Sequence, residues 1–232
     1  IRTWAFYTIF RNLILTGKAC FRDLLINGMI RGEDGRKMSK SLGNVITPEE
    51  ALEKYSADAL RQWASLGSLG DDYPFSWEEC SHAQAFLTKL WNISRFIGLH
   101  LQDFAGKEEK LREIDRWILS KLQKLKKECT ENLENYVFNL PLKKIRSFVW
   151  HDFADNYLEL VKHRLYKPEV YGEDSKKAAQ YTLKKVLKEI LKLLAPFTPH
   201  ICEEIWENFS FDGYVTLEKW PEIEENLINE EA

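Results

Sequence analysis

Apolar residues recur at every third or fourth position through most of the second half of the chain, as they do along one face of a helix. Glycine is almost absent inside these segments. The pattern predicts helices from a Ser76 cap to Leu101, then Glu113 to Glu131, Leu140 to Tyr166, Ser175 to Leu194 and Pro199 to Asn208. Lys107 to Lys110 and Lys167 to Asp174 are the predicted polar connections. Helices of this length joined by short loops favour an antiparallel bundle.

The beginning of the chain has a more mixed pattern. Aromatic and aliphatic residues from Ile1 to Leu15 have helical spacing and predict a helix that is buried on one side. The apolar run from Leu24 to Ile30 predicts a buried strand, with Gly28 near its middle. Short helices are predicted from Pro48 to Tyr55 and from Ala57 to Ser65.

A cluster of glycine, aspartate and proline between positions 67 and 74 interrupts these patterns, and such clusters join structural units. We therefore expect a domain boundary near Asp72, with one domain over residues 1–72 and a second over 73–232. The fold class expected is mainly α. At the other end, Tyr214 to Trp220 predicts a small strand or an extended segment that docks on the bundle. Ile1 is preceded by no methionine or cap, so we expect a piece of a larger protein.

The sequence Lys37-Met38-Ser39-Lys40-Ser41 lies in a run that contains three cations, two hydroxyls and three glycines. This composition suits a mobile loop that folds over a phosphate chain, because lysine supplies charge and glycine lets the backbone approach. Most such runs are only solvated surface loops. Here a predicted strand precedes the loop, and Thr47-Pro48-Glu49-Glu50 starts a helix after it, which favours a phosphate site.

The longer segment from Arg36 to Asn44 resembles the second signature of the class I aminoacyl-tRNA synthetases, which activate amino acids with ATP on a Rossmann-like domain. Segments Ile1 to Thr8, Ala57 to Arg61 and Leu66 to Ser68 are similar to the valine-specific branch more than to its isoleucine and leucine relatives. Two further segments resemble the helical domain of that branch: Phe86 to Asn92 and Ala195 to Trp206.

The resemblance implies the C-terminal remnant of a Rossmann-like catalytic domain, followed by an α-helical bundle that binds the tRNA anticodon. It implies a role in protein biosynthesis, the ATP-dependent activation of valine and its transfer to tRNA(Val). The family's first signature, His-Ile-Gly-His, is absent, so we expect these residues alone to be inactive. The hydrolytic editing site that distinguishes valine from threonine is also expected outside this chain.

The resemblance also assigns roles to individual residues. Lys37 and Lys40 would be catalytic and would neutralise the departing pyrophosphate. ATP, with the Mg²⁺ that it carries, would contact Gly28, Met29, Lys37, Met38, Ser39, Lys40 and Ser41. Trp4 would wall the amino-acid pocket. An ordinary core position competes with this role for Trp4, and a bulge competes with nucleotide binding for Gly28.

Positive charge is concentrated in the second half of the chain: residues 107–192 contain 20 Lys and Arg against 14 Asp and Glu. Phosphate contacts need such cations, and splayed RNA bases need aromatic or Arg side chains to stack on. The candidate tRNA contacts are Lys143, Lys144, Arg146, Trp150 and Arg164. Packing in the core is the competing interpretation for Trp150.

The overall charge of −3 argues against a uniformly basic nucleic-acid binder. No apolar run approaches the ~20 residues that cross a bilayer. The four cysteines lie far apart, which favours reduced thiols over disulfides or a metal site. We expect a cytoplasmic monomer without bound metal. The alternatives are an isoleucyl- or leucyl-tRNA synthetase, a free-standing tRNA-binding helical module without catalysis, and a helical scaffold that binds only protein.

Overall fold

The computed structural model describes residues 2–105 and 110–229, so the connection expected at Lys107 to Lys110 lies almost entirely outside the described residues. The described chain is mainly helical, as the sequence predicts. Its helices and strands are α1 (Arg2–Thr16), β1 (Ile30–Arg31), α2 (Pro48–Lys54), α3 (Ala57–Ser65), β2 (Tyr73–Pro74), α4 (Trp77–His100), α5 (Glu113–Glu134), α6 (Asn139–Ser147), a π-helical segment (Phe148–Leu158), α7 (Glu159–Tyr166), α8 (Pro168–Tyr171), α9 (Glu173–Leu194) and α10 (Pro199–Asn208).

Helix α1 forms where the aromatic spacing predicts it, but the expectation that one side is buried is wrong. None of its residues is buried, and Trp4 is 60% exposed. The reason is that no helix or strand of the described chain covers its apolar side. The apolar spacing is enough to predict that a helix forms, but its apolar side is buried only where a second helix or strand packs on it.

The predicted strand from Leu24 to Ile30 is also wrong in extent. Only Ile30 and Arg31 form a strand, in parallel pairing with Tyr73 and Pro74 of β2. An apolar run can form a strand only where a hydrogen-bonding partner lies beside it. Because β2 has two residues, the rest of the run stays irregular and exposed.

Side-chain caps begin α2, α3 and α4, and a proline begins α10. Ser76 Oγ accepts the amide of Glu79 at 3.1 Å at the start of α4, and Thr47 Oγ1 accepts that of Glu50 at 3.2 Å before α2. These bonds satisfy backbone donors that have no partner within the helix. The helices predicted at Ala57–Ser65 and Pro199–Asn208 are confirmed at both ends.

The long helix predicted from Leu140 to Tyr166 is continuous from Asn139, but its middle has π-helical geometry. Within that middle, buried apolar residues recur at intervals of five: Phe148, Phe153 and Leu158, and beside them Val149 and Ala154. This interval matches the i→i+5 hydrogen bonds of a π-helix. The widened turns therefore bring a full apolar stripe onto the core.

The bundle core lies between α4, α5, α9 and the α6–α7 stretch, and its fully buried side chains include Leu90, Ile97, Leu122, Phe153 and Leu187. The segment after α10 is extended, with short 3-10 turns at Val215–Leu217 and Glu225–Leu227. The expectation of a docked extended segment is thus confirmed over Tyr214 to Trp220, and that of a strand is wrong. No helix within the two described ranges is both long and apolar enough to cross a membrane.

Helix α3 connects the first part of the chain to the bundle through two charged side chains. Buried Asp58 accepts the amide of Ile201 and contacts the ring of His200, both at 2.8 Å, at the start of α10. One turn later, Arg61 donates to the carbonyl oxygens of Pro196 at 2.8 Å and Phe197 at 3.1 Å. These bonds fix the segment before α10 on the same helix that packs on α4.

Candidate functional site

The cationic loop, residues 32–44, begins with a tight reverse turn. Gly35 donates to the carbonyl of Gly32 and Gly32 donates to that of Arg36, both at 2.9 Å. Gly35 has φ of +73°, a conformation that favours glycine. The turn brings Lys37 opposite Arg31 in an antiparallel bridge.

Asn44 holds the two sides of the cationic loop together. Its side-chain oxygen accepts the amide of Ser39 at 2.9 Å, and its nitrogen donates to the carbonyl of Lys37 at 3.3 Å and to Asp34. Asp34 in turn accepts the backbone and side chain of Arg36 at 2.9 and 2.8 Å. The Arg36 amide, its guanidinium and the Asn44 amide hold the pKa of Asp34 below its usual value. Sequence reasoning placed Asn44 in the signature without a role.

The two lysines of the signature point into solvent. Lys37 and Lys40 are exposed, and neither makes an ion pair within the described ranges. Between and beside them, the hydroxyls of Ser39 and Ser41 hydrogen-bond to each other at 2.8 Å. A short 3-10 turn over Lys40–Leu42 ends at Gly43, whose φ is +65°. The loop thus presents two free ammonium groups and two hydroxyls, the donors that a phosphate chain requires.

Met38 anchors the loop to the protein. It packs on a small cluster of Ala51, Trp63, Phe75 and Cys80. Because Met38 is packed against this cluster, the backbone positions of Lys37 and Ser39 are fixed, while the side chain of Lys37 extends into solvent.

Gly28 and Met29 lie against the segment before β2. A Cβ atom on Gly28 would lie 1.9 Å from the carbonyl oxygen of Asp71, so another backbone occupies the space beside this glycine. Met29 donates its amide to Asp72 at 2.8 Å, and Arg31 Nε donates to the same carboxylate at 2.9 Å. Met29 and then Arg31 lower the pKa of Asp72. A glycine in a strand suggests that a ligand or another backbone approaches closely. Here the backbone of Asp71 makes that approach to Gly28.

Two of the predicted tRNA contacts, Lys143 and Lys144, lie on the surface of α6. Lys143 is exposed, and Lys144 pairs with Glu128 of α5 at 2.5 Å. The Lys144–Glu128 pair lies at an open groove of about 310 Å³ between α5 and the α6–π stretch. This groove is lined by Lys121, Lys124, Leu125, Glu128, Lys144, Ser147, Phe148 and Asp152. This groove carries more lysine than acid.

Arg146 and Trp150 are half-buried at the junction with α4. The Arg146 guanidinium lies 5.9 Å from the ring centre of Phe86, and burial lowers its pKa. The ammonium of Lys89 lies 4.1 Å from the Trp150 ring centre and bonds Asp155 at 2.7 Å. Trp150 is therefore partly covered by a cation of the protein itself.

Arg164 lies in the core and not on the RNA-accessible surface. It is 4% exposed, and its guanidinium donates to both oxygens of Asp115 at 2.8 and 2.9 Å and to the carbonyl of Ser175. Tyr157 donates to the same carboxylate at 2.7 Å. Periodicity could not reveal this network, because its members come from four different helical segments.

Sequence reasoning missed an aromatic cluster at the far end of α4. Ring centres of Phe96 and His100 are 4.5 Å apart, and Tyr166 of α7 meets His100 edge-on at 4.8 Å. Tyr166 is 61% exposed, and Lys162 lies 5.8 Å from the Phe96 ring. Burial and then Lys176 lower the pKa of His100, which favours the neutral form of its ring. The available signal was Phe96 and His100 four residues apart.

The two candidate regions lie at opposite ends of α4. Trp77, at its start, meets Phe75 of the cluster that holds Met38 edge-to-face, with 4.7 Å between ring centres. His100, at its end, belongs to the aromatic cluster. The 24 residues of the helix span about 36 Å. A ligand that contacts both regions must therefore be an extended molecule.

Two family models match the chain. Residues 1–76 match "tRNA synthetases class I (I, L, M and V)", and residues 115–232 match "Anticodon-binding domain of tRNA ligase". Among curated proteins, the valine–tRNA ligases of Archaeoglobus fulgidus and Pyrococcus furiosus are each 49% identical to it, and that of Methanosarcina barkeri is 50% identical. Each alignment covers 100% of this chain, which spans about a quarter of those proteins, 26–27% of their length.

Solved structures share the fold. The LeuRS–tRNA–LeuAMS ternary complex of Agrobacterium radiobacter K84 agnB2 matches with a TM-score of 0.75 and 26% identity, over 96% of this chain and 28% of that one. Mycobacterium tuberculosis methionyl-tRNA synthetase with methionyl-adenylate matches in fold with a TM-score of 0.70 and 18% identity, over 84% of this chain and 40% of that one. The chain therefore belongs to the class I tRNA synthetases of the I, L, M and V group and contains their anticodon-binding domain.

Proposed function

We propose that the chain is part of a cytoplasmic, monomeric valine–tRNA ligase, which activates valine with ATP and transfers it to tRNA(Val). The observation that carries this proposal is the pair of exposed ammonium groups of Lys37 and Lys40, which have no ion-pair partner among the described residues, on a loop held by Asn44. It is supported by 49% identity to valine–tRNA ligases along the whole chain. Residues 1–72 would end the catalytic domain, and residues 73–232 would form the anticodon-binding domain.

In the first step, the carboxylate of valine attacks the α-phosphate of ATP and pyrophosphate leaves. The Mg²⁺ carried by ATP would neutralise part of the phosphate charge. Phosphoryl chemistry of this kind depends on positioning and on electrostatic stabilisation. Lys37 and Lys40 lower the barrier if they contact the phosphates most strongly as pyrophosphate departs. Ser39 and Ser41 would add hydrogen bonds worth about 1 kcal/mol each.

The remaining predicted contacts would position the reactants. Gly28, Met29 and Met38 would border the adenine, and the exposed indole of Trp4 would offer an apolar wall to the valine side chain. Gly28 would contribute through its backbone alone, because the backbone of Asp71 fills the space beside it.

Lys40→Ala in the full-length enzyme tests the catalytic role. We expect adenylate formation, measured before steady state, to slow about a hundredfold or more, while valine binding stays near the parent value. Lys18→Ala is the matched control, since Lys18 is also an exposed lysine but lies outside the loop. An unchanged rate of adenylate formation in Lys40→Ala would refute the role. Exchange assays with valine and isoleucine decide between those two substrates.

For tRNA, we propose that Lys143, Lys144, Arg146 and Trp150 contact the anticodon stem and that the cluster of Phe96, His100 and Tyr166 stacks on bases of the loop. Aromatic faces beside a cation are what splayed bases bind. No RNA contact is proposed for Arg164, because it is buried. The span of about 36 Å along α4 supports an RNA that reaches from the cationic loop to this end.

Binding of tRNA(Val) tests these assignments. Lys143→Gln should reduce the slope of log affinity against log salt by about 0.9, and Phe96→Ala should weaken binding by about 1–3 kcal/mol per lost stack. Lys219→Gln serves as the control for charge alone. A free-standing binding module would give the same tRNA results, but nucleotide would not protect Lys37 or Lys40 from amine-directed labelling. If the chain binds no tRNA even at low salt, the remaining interpretation is a helical scaffold that binds only protein.

A further inference from the structure

The segment after α10, residues 214–229, forms a C-terminal strap along the groove between α5 and α9. Trp220 Nε1 donates to Thr130 Oγ1 at 2.8 Å, the Glu224 amide to Gln123 Oε1 at 2.9 Å, and the Asn229 amide to Ser120 Oγ at 2.8 Å. These partners descend along α5 as the strap advances, so the strap runs antiparallel to that helix. Val215, near the beginning of the strap, is buried.

The strap pairs its acids with lysines of the two helices. Glu218 lies 2.8 Å from Lys192, and Glu224 lies 2.7 Å from Lys185, both on α9. Lys126 of α5, which is 1% exposed, reaches Glu189 at 3.2 Å and Glu224 at 4.0 Å. The strap thus neutralises Lys185 and Lys192, whereas Lys126 has its nearer partner, Glu189, on α9 itself.

The same helix α5 carries a second lysine stripe on another side. Lys121 and Lys124 line the groove toward α6, whereas Gln123 and Lys126 face the strap. Successive residues of a helix differ in direction by about 100°. The strap therefore covers one groove of the bundle and leaves the α5–α6 groove open. The lysines of the open groove also pair with acids: Lys121 lies 2.8 Å from Asp152, and Lys144 lies 2.5 Å from Glu128. Their side chains nevertheless stay 36% and 44% exposed, against 21% and 14% for the strap-covered Lys185 and Lys192.

We propose that Glu218 and Glu224 are specificity determinants, which occupy the α5–α9 lysines so that RNA phosphates bind only along the α5–α6 side. The inference rests on the proposed tRNA-binding function. Phosphate contacts supply affinity without sequence information, so an uncovered lysine groove would bind any RNA in any register. The strap both neutralises and covers Lys185 and Lys192, and so removes the competing register. The pairs of the α5–α6 groove are exposed and contribute little energy, so phosphates can replace their acids.

The test compares two doubly substituted chains with the same charge change. Glu218→Gln/Glu224→Gln frees Lys192 and Lys185, whereas Glu222→Gln/Glu225→Gln changes exposed strap acids that have no ion pair within the described ranges. The probes are poly(U) and a tRNA(Val) transcript, each titrated at several salt concentrations.

We expect the first variant, and not the second, to bind poly(U) more tightly. Two freed lysines add about 1.4 to the salt slope for single strands, so the gain should be roughly sevenfold larger at about 50 mM than at about 200 mM salt. The preference for tRNA(Val) over poly(U) should fall correspondingly. Equal shifts in both variants, or no shift in either, would overturn the proposal.

A further variant excludes strap release or altered folding as the cause of the gain. Adding Lys185→Gln and Lys192→Gln to the first variant should return poly(U) affinity and salt slope to the parent values. A gain that persists in this fourfold variant would mean that poly(U) binds elsewhere, and the proposal would fail. If the parent chain does not bind tRNA(Val), the proposed function fails, while the poly(U) comparison still decides the role of the strap.

Discussion

Replacing Arg164 with methionine should destabilise the bundle far more than any loss of surface charge could. Arg164 is 4% exposed and Asp115 is fully buried, and the two are joined by bonds of 2.8 and 2.9 Å. Methionine fills a similar volume but leaves the Asp115 carboxylate without its cation. Tyr157 and the amide of Arg112 would still donate to it, at 2.7 and 2.9 Å, but neither carries charge.

The expected cost follows from that uncompensated charge. Removing one partner of a buried ion pair typically costs about 3–5 kcal/mol, and the Ser175 carbonyl loses its donor as well. For a chain of this size, each kcal/mol lowers the melting temperature by about 2–4 °C, so the total should be about 10 °C. Arg164→Lys should recover only part, because an ammonium cannot form the two-pronged contact.

Urea unfolding followed by circular dichroism measures this free energy of unfolding. Lys162→Met is the control on the same helix, since Lys162 forms an exposed pair with Glu159 and should contribute less than about 1 kcal/mol. Arg164→Met/Asp115→Leu should recover much of the stability, because no charge is then left buried. If the free energy of unfolding of Arg164→Met lies within about 1 kcal/mol of the parent value, the Arg164–Asp115 pair does not stabilise the bundle as its geometry indicates.

Three other predictions concern the loop, the thiols and the strap. Gly28→Ala should lower the free energy of unfolding by about 1–3 kcal/mol or more, because the added Cβ pushes Asp71 away. It should also speed hydrogen exchange of the Tyr73 amide, which donates to the Met29 carbonyl. Gly98→Ala is the control, since its Cβ would only touch Phe209 at 3.6 Å, and unchanged exchange in Gly28→Ala would contradict the close approach. A thiol-specific reagent should modify Cys20 alone in the folded chain, since Cys80, Cys129 and Cys202 are buried with pKa values raised to about 11, 12 and 12; reaction of a second thiol before unfolding would argue against this. The hydrogen bond from Lys192 lowers the pKa of Glu218 below its ordinary value of 4.5, so this pairing stabilises the strap above pH 4.5 and is lost as the pH falls through the lowered value. The protection factors of strap amides, which correct exchange rates for the intrinsic effect of pH, should fall in that acidic range. Protection factors that do not change with pH would rule the pairing out.

The sequence by itself determined most of the helices and the composition of the cationic loop. The ends of Ala57–Ser65 and Pro199–Asn208 are predicted correctly, because the Ser56 cap, the proline at the first turn of α10 and the apolar spacing act within a few residues. The signature from Lys37 to Ser41 was likewise readable, since its cations, hydroxyls and glycines are neighbours in the chain. In the structure both lysines of this segment are exposed and have no ion pair within the described ranges, and their role stays a prediction.

Only the tertiary structure decided which residues face a ligand and which face the protein. Arg164 meets Asp115 across 49 positions, Gly28 meets Asp71, and Tyr166 joins His100 from another helix. The strap pairs Glu224 with Lys185 in the same way. A charge or ring has the same appearance in a sequence whether its partner is RNA, solvent or a distant carboxylate. Packing of the helices brings such distant partners together. For Arg164 and Asp115, burial then makes the unpaired state costly, which fixes that pairing.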